Sequence, residues 1–317
     1  VTVLIISGDA DPTTNRIVHE LDKRSTPVFR CDVGWFPAGL ALDAVLDGSR
    51  WRGSLGTPHR AVRLEDLRSV LFRGPTGFTF EAGLSPVELR HVRLEARLGL
   101  GGVLTSLPVL WCNHPARQAD AGYKPLQLAI AAQCGFLVPA TMVTNDPEAV
   151  LRFTASVPHV VSKVLGVNRI DDGAVVRIAY TRFLETSDLV DLEGVRTTAH
   201  LFQEWLEKSY EVRVVAVGSA LFTVAIHAHS AASRIDWRSD YEALSYSVVD
   251  LPKEVAASIR RFLEAFGLAF AAFDFVVTTD GRWHFLEANP AGQYGWLEDV
   301  VDVPISAAVA DFLAGAT

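Results

Sequence analysis

Two short apolar stretches near the C-terminal end, AAFDFVV and WHFLEANP, carry three hard oxygen donors: Asp274, Glu287 and Asn289. Both read as strands, and Asp280-Gly281 between them is a strong hairpin-turn signal. Alternate residues of a strand share a face, so Glu287 and Asn289 point the same way. With a two-residue loop Thr279 pairs with Arg282, and counting outward sets Asp274 directly opposite Glu287. Facing carboxylates repel unless a cation sits between them. Asp274 also lies between Phe273 and Phe275, where an unpaired charge is costly. Two carboxylates and an amide carbonyl suit Mg²⁺, which takes its remaining ligands from water and nucleotide phosphates.

Other groups with phosphate and nucleotide chemistry precede this hairpin. Gln203-Glu204-Trp205-Leu206-Glu207 ends a strand. Exposed backbone groups at such a hinge can bond an adenine edge, and a nearby carboxylate can take ribose hydroxyls. Glu211 and Arg213 follow, the latter with a bidentate fork for phosphate. Lys163 ends an apolar strand over residues 159–163, just before a glycine-bearing loop over 166–173 that can close as a lid. Lys124 stands in Tyr123-Lys124-Pro125-Leu126. Arg234 and Arg238, in SRIDWR, are candidates for a γ-phosphate or acyl-phosphate. Taken singly, each has an ordinary explanation as a solvated lysine, a polar strand end or an exposed loop.

The elements that must position these groups fall into an α/β pattern. Residues 1–7 are apolar on both faces, which suits a central parallel strand. A helix over about 15–23 follows, then strands at 27–33 and 69–73, with a polar hairpin over 48–58 between them. Ser85-Pro86 with Glu88 caps a long helix that the sequence stops at Gly101-Gly102. After a short strand at 109–112, one helix is expected over about 117–133. Stretches 175–183, 198–206, 211–217 and 220–228 alternate well enough for a meandering antiparallel sheet. Later come a helix over 252–266, capped by Asp250, and a closing helix over 298–314. The expected division is an N-terminal α/β domain over 1–112, then 113–317, split into subdomains of about 113–195 and 196–317.

With 317 residues, 49% hydrophobic and 21% charged, the chain can build an ordinary packed core. A net charge of −8 argues against a nucleic-acid binder, which needs a basic face. Cys31, Cys112 and Cys134 are an odd, scattered set that fits neither a disulfide framework nor a zinc site. Residues 1–7 lack the basic flank of a signal peptide, and no stretch approaches the roughly 18 apolar residues of a membrane span. A cytosolic protein without a membrane partner is expected. His227 and His229 share a strand face, but no third metal ligand lies within sequence reach.

The order of the motifs (two lysines, a Q-E hinge, E-x-R, an arginine loop, then D…E-x-N) resembles the series in the ATP-grasp superfamily, from about residue 113 onward. The likeness is closer to the graspetide (microviridin-type) ribosomal peptide maturases in VLWCNHP, YKPLQL, SRIDWR and EANPAGQ. Leu71-Phe72-Arg73-Gly74 is also similar, although that family usually carries a second arginine where Gly74 stands. The resemblance implies an ATP-grasp fold with an N-terminal pre-ATP-grasp domain. It implies phosphate contacts from Lys124 and Lys163, and adenine held by Glu204 and the backbone of Trp205 and Leu206, beside Gln203. Ribose would sit on Glu211, with the phosphates and acyl-phosphate steadied by Arg213 and Arg238 as the catalytic pair. Asp274, Glu287 and Asn289 would ligate Mg²⁺, and the missing P-loop fits, since this superfamily uses none. The expected reaction activates Asp or Glu side chains of a ribosomal precursor, with leader and core, and cross-links them as esters or amides. A homodimer is implied too. The rival readings are an ATP-grasp ligase for a free amino acid and a non-catalytic nucleotide- or peptide-binding module.

Overall fold

A computed structural model describes residues 1–166, 169–171, 173 and 176–315. Its N-terminal sheet is fully parallel, in the order Val28–Cys31, Thr2–Ser7, Leu67–Arg73, Leu110–Cys112. Thr2–Ser7 is an interior strand, as its two-sided apolar pattern requires, with Val3 to Ile6 buried. One face of this sheet, through Val3, Ile5 and Leu71, packs on Ile17 and Leu21 of helix Pro12–Lys23 and on Val309 and Leu313 of the last helix. The other face, through Leu4, Ile6 and Val70, takes Leu100, Val103 and Leu104 of helix Pro86–Thr105. This alternation follows from side chains pointing to opposite faces along a strand. Beside it lies a three-stranded antiparallel sheet, Ala41–Asp47, Arg50–Gly56 and Ala61–Arg63. The expected 48–58 hairpin is therefore the turn and second strand of a larger one.

Among the described residues a two-stranded antiparallel ribbon, Arg169–Asp171 with Val176–Ile178, and two further antiparallel sheets form the rest. The small one runs Arg182–Phe183, Val160–Lys163, His200–Glu204, Thr141–Thr144. The large one runs Leu244–Val248, Ala220–Ala228, Lys208–Val217, Phe270–Thr278, Trp283–Asn289. The single meander expected over 175–228 is thus divided between sheets, and His200–Glu204 belongs with strands that precede residue 195. Phe136, Phe262, Phe273, Phe275 and Phe285 pack as one aromatic cluster between the large sheet and helix Lys253–Phe266.

Several helix boundaries differ from expectation. Gly101 and Gly102 lie inside helix Pro86–Thr105, because packing of Leu100, Val103 and Leu104 overrides their weak propensity. The 117–133 helix is two helices, Pro115–Asp120 and Lys124–Gln133, and the break delivers Lys124 to a helix start. Helix Lys253–Phe266 begins on Pro252 without the side-chain cap expected from Asp250. The closing helix is Gly295–Val301 and Ile305–Ala314, parted at Asp302, whose φ is +48°, and Pro304. Among the described residues no helix is long and apolar enough to cross a membrane.

Candidate active site

The hairpin register is reached by two departures that cancel. The turn is longer than two residues: Thr278 donates to the Arg282 carbonyl at 3.0 Å and Gly281 to the Thr278 carbonyl at 2.9 Å. Gly281 supplies the φ of +81° that this turn needs. The ladder therefore starts one residue out of step, with Val277 opposite Trp283. A bulge between Phe285 and Glu287 restores it, and Asp274 faces Glu287 while Ala272 faces Asn289. On the neighbouring strand Arg213 is the register partner of Asp274, so Arg213, Asp274 and Glu287 form a row across three strands. Glu211, two residues before Arg213, shares its face.

This row lies in a cavity of about 620 Å³ between the small and large sheets. Twelve of the site residues named from the sequence line it: Lys124, Lys163, Gln203, Glu204, Trp205, Leu206, Glu211, Arg213, Arg238, Asp274, Glu287 and Asn289. Arg234 does not; it is exposed on the short helix Ala231–Ile235. Residues 167, 168 and 172 of the expected lid lie outside the described residues.

Charge is tightly arranged at the cavity floor. Arg238 Nη2 donates to Asp274 Oδ2 at 2.7 Å and to Glu287 Oε1 at 3.3 Å, bridging the facing carboxylates. Lys124 Nζ stands 3.1 Å from Glu287 Oε2 and donates to the Val164 carbonyl at 2.9 Å. Burial pushes the Glu287 carboxyl up, but Lys124, Arg238 and Lys163 outweigh it and hold it at about 2, below its ordinary 4.5. For Arg238 burial also opposes the charge, and Asp274, Glu287 and Asp236 together raise its pKa. Burial holds the Lys163 ammonium below the usual lysine range, with Lys124 and Arg238 adding to that and Glu287 and Glu211 opposing it. Burial raises the Glu211 carboxyl against the pull of Lys208, whose Nζ lies 2.5 Å from Glu211 Oε1.

A pH prediction follows from Glu287. Its folded pKa lies below the unfolded one, so its contribution is full above about pH 4.5 and fades as pH falls toward about 2. The thermal midpoint of metal-free protein should fall across that window, and Glu287→Gln should flatten that part of the profile. An unchanged slope in the variant would refute the assignment.

Asp274 is buried, and its Oδ1 has no hydrogen-bond partner; Arg213 Nη1 stands 3.4 Å from it. An orphaned carboxylate oxygen beside a second carboxylate and the Asn289 amide is a donor set that fits a hard cation such as Mg²⁺. The apolar environment makes that fit consequential, since buried charge demands a counterion.

Several supporting residues escaped the sequence reading. Gln127 Nε2 donates to the Ala288 carbonyl and its Oε1 accepts from the Ala288 amide, both at 2.8 Å, bracing the strand between Glu287 and Asn289. Its i+3 spacing from Lys124 was the available signal. Asp236 Oδ1 accepts from the Arg238 amide at 3.1 Å, and the Trp237 ring lies 4.6 Å below the Arg238 guanidinium. Gln203 accepts from Lys163 Nζ at 3.1 Å and donates to Thr141 at 2.9 Å, so its side chain positions that lysine. The Trp205 amide is already committed to the His159 carbonyl at 2.9 Å, leaving its carbonyl and the Leu206 backbone for a ligand edge.

The EANPAGQ loop is tied to the N-terminal domain. Buried Arg73 donates to Gln293 Oε1 at 2.6 Å and to the Gly292 carbonyl at 3.3 Å, and its Nε pairs with Asp11 at 2.9 Å. Asp11 also caps helix Pro12–Lys23. Gly292 is required here, because a Cβ would lie 2.6 Å from Ala272 Cβ. Cys112 is a core thiol: burial pushes its pKa up to about 12.

No protein-family model matches the chain, and no curated protein matches its sequence. Solved structures do. A RiPP-associated ATP-grasp ligase from Chryseobacterium gregarium, in complex with ADP and a leader and core peptide, superposes with a TM-score of 0.91 at 27% identity, covering 100% of this chain and 97% of that one. Macrocyclase MdnC from Microcystis aeruginosa, bound with its precursor peptide MdnA, is 29% identical with a TM-score of 0.87, covering 99% of this chain and 100% of that one. Over its whole length this chain is similar to RiPP-associated ATP-grasp ligases. Macrocyclase MdnB from the same organism is also similar, with a TM-score of 0.82 at 29% identity and 98% coverage of both chains. The ligase fold accounts for the layout above: a pre-ATP-grasp parallel sheet, then two antiparallel sheets with the charged cavity between them.

Proposed function

We propose that this ligase uses Mg-ATP to activate carboxylate side chains of a ribosomal precursor peptide and joins them to hydroxyl or amine groups of the same peptide. The observation that carries this reading is the convergence of cations, carboxylates and a backbone hinge on one cavity. The likeness over whole chains to ligases bound to ADP or precursor peptide supports it. We divide the chain into a pre-ATP-grasp domain over 1–112 and an ATP-grasp region over 113–317, with its internal boundary after Glu204 rather than near 195.

In this reading Glu204, Trp205 and Leu206 hold the adenine edge and Glu211 the ribose. Lys124, Lys163, Arg213 and Arg238 face the phosphates, and Asp274, Glu287 and Asn289 hold the metal. Held there, Mg²⁺ would supply positive charge that offsets charge on the phosphates during transfer. A peptide carboxylate oxygen attacks the γ-phosphorus, giving an acyl-phosphate and ADP. A peptide hydroxyl or amine then attacks the acyl carbon, phosphate departs, and the nucleophile loses its proton. The chain's part is electrostatic: Arg213 and Arg238, preorganised by Asp274, Asp236 and Trp237, offset charge as it builds. The reading includes a cytosolic setting, where ATP is supplied, and a working homodimer.

The test is mass spectrometry of a co-incubated candidate precursor with ATP and Mg²⁺. Each bond should remove one water and release one ADP. Release of ADP driven by a free amino acid, with no change in peptide mass, would replace this reading by that of an amino-acid ligase.

A further inference from the structure

We infer that Asp236 is a positioning residue whose two carboxylate oxygens join the small sheet to the turn carrying Arg238, fixing the gap between Lys163 and Arg238 that a γ-phosphoryl group must fit. This role rests on the phosphate-facing placement of both cations proposed above.

Arg238 sits in the turn Trp237–Ser239, which follows the short helix Ala231–Ile235. Both lie between strands Ala220–Ala228 and Leu244–Val248, so the turn is carried by the large sheet. An aspartate before such a turn needs one oxygen to cap it. Asp236 Oδ1 does so, accepting from the Arg238 amide at 3.1 Å. Its Oδ2 is spare to the cap and accepts from the Thr181 amide at 3.1 Å, across 55 positions of sequence. Thr181 directly precedes Arg182, whose partner in the small sheet, Ser162, directly precedes Lys163. One buried carboxylate therefore holds two main-chain segments, one beside each cation. Lys163, Thr181, Asp236 and Arg238 all line the cavity.

Each cation is also fixed within its own frame. Trp237 is buried, with its ring centroid 5.3 Å from that of Trp296 and 5.6 Å from that of Tyr241, so the arginine turn is pinned on its far side. Across the cavity Gln203 Oε1 accepts from Lys163 Nζ at 3.1 Å. Asp236 ties one frame to the other. A carboxylate suits this position because it accepts at both oxygens, whereas an asparagine would turn an N–H toward one of the two amides. Phosphoryl transfer depends on such spacing, since about 1 Å of misplacement can cost roughly 10²-fold in rate.

Titration calorimetry of the intact protein with ADP and with a non-hydrolysable ATP analogue, each with Mg²⁺, reads the gap without any peptide. The unaltered protein should bind the triphosphate at least about tenfold more tightly, the scale of one added hydrogen bond between charged groups. Asp236→Asn should erase most of that preference and leave ADP affinity unchanged. Thr181→Pro, which deletes the amide that Oδ2 holds, should do the same, and Asp236→Asn keeps the side chain's volume should the proline variant fail to fold. The double variant should be no worse than either single one, because both break the same joint. Equal affinities in the unaltered protein, a parallel loss of ADP affinity in Asp236→Asn, or additive losses in the double variant would each overturn the role. Cross-linking on the same samples should slow about 10²-fold in Asp236→Asn. An unaltered protein that prefers the triphosphate yet cross-links no peptide would overturn the ligase reading and leave the role of Asp236 standing.

Discussion

Asp274→Asn is expected to lower ATP-dependent cross-linking by about 10³-fold, the scale on which loss of a preorganised charge contact slows an enzyme, with little change in fold. Asparagine keeps the shape of the side chain, so the strand and its aromatic neighbours on either side stay packed. What disappears is the negative charge that Arg238 Nη2 meets at 2.7 Å and Arg213 Nη1 at 3.4 Å. Both guanidiniums then face a neutral amide, and the hard donor set is reduced to one carboxylate and two amides. Magnesium affinity depends on ligand charge and tolerates that loss poorly. Initial rates by mass spectrometry and ADP release measure the effect. A variant retaining a tenth of the rate would remove Asp274 from the metal-binding role.

Arg238→Met is expected to slow the reaction by a similar factor and to change how stability depends on the metal. In the metal-free protein this guanidinium bridges Asp274 and Glu287. Removing it leaves the carboxylates facing each other, with Arg213 and Lys124 serving only one apiece. Breaking a buried pair costs roughly 3–5 kcal/mol. The side chain of Arg238 keeps 27% exposure, so the lower end applies. A fall in thermal midpoint of about 5–10 °C should follow. Mg²⁺ should recover more of that loss in the variant than it adds to the unaltered protein, because the cation occupies the gap the arginine left. An equal Mg²⁺ response in both proteins would separate Arg238 from the metal site.

Supporting residues resisted sequence reading for a common reason. Gln127 and Arg73 act through backbone carbonyls and loops far away in the chain, at Ala288 and Gly292. A glutamine or arginine bonding a remote main chain carries no local spacing rule. Asp236 and Trp237 sat within a quoted motif, yet their work on Arg238 depends on a loop conformation that residue types alone do not specify.

The three hard donors and their shared face were determined by the sequence, because strand alternation is local and has a period of two. So were the two-sided apolar strand Thr2–Ser7 and the capping box at Ser85, which also need only near neighbours. The facing of Asp274 and Glu287 was legible in outcome but not in cause: the turn lengthened by one residue, and a bulge took that residue back. Only the tertiary structure decided which sheet each strand joined, where helices broke, and that Lys124, Lys163 and Arg238 surround one pair of carboxylates. Those choices are made by burial and charge pairing between segments distant in sequence, from 36 residues for Arg238 and Asp274 to 163 for Lys124 and Glu287. For Lys124 and Glu287, 3.1 Å apart across 163 positions of sequence, the attraction exists only once the fold has excluded water around them.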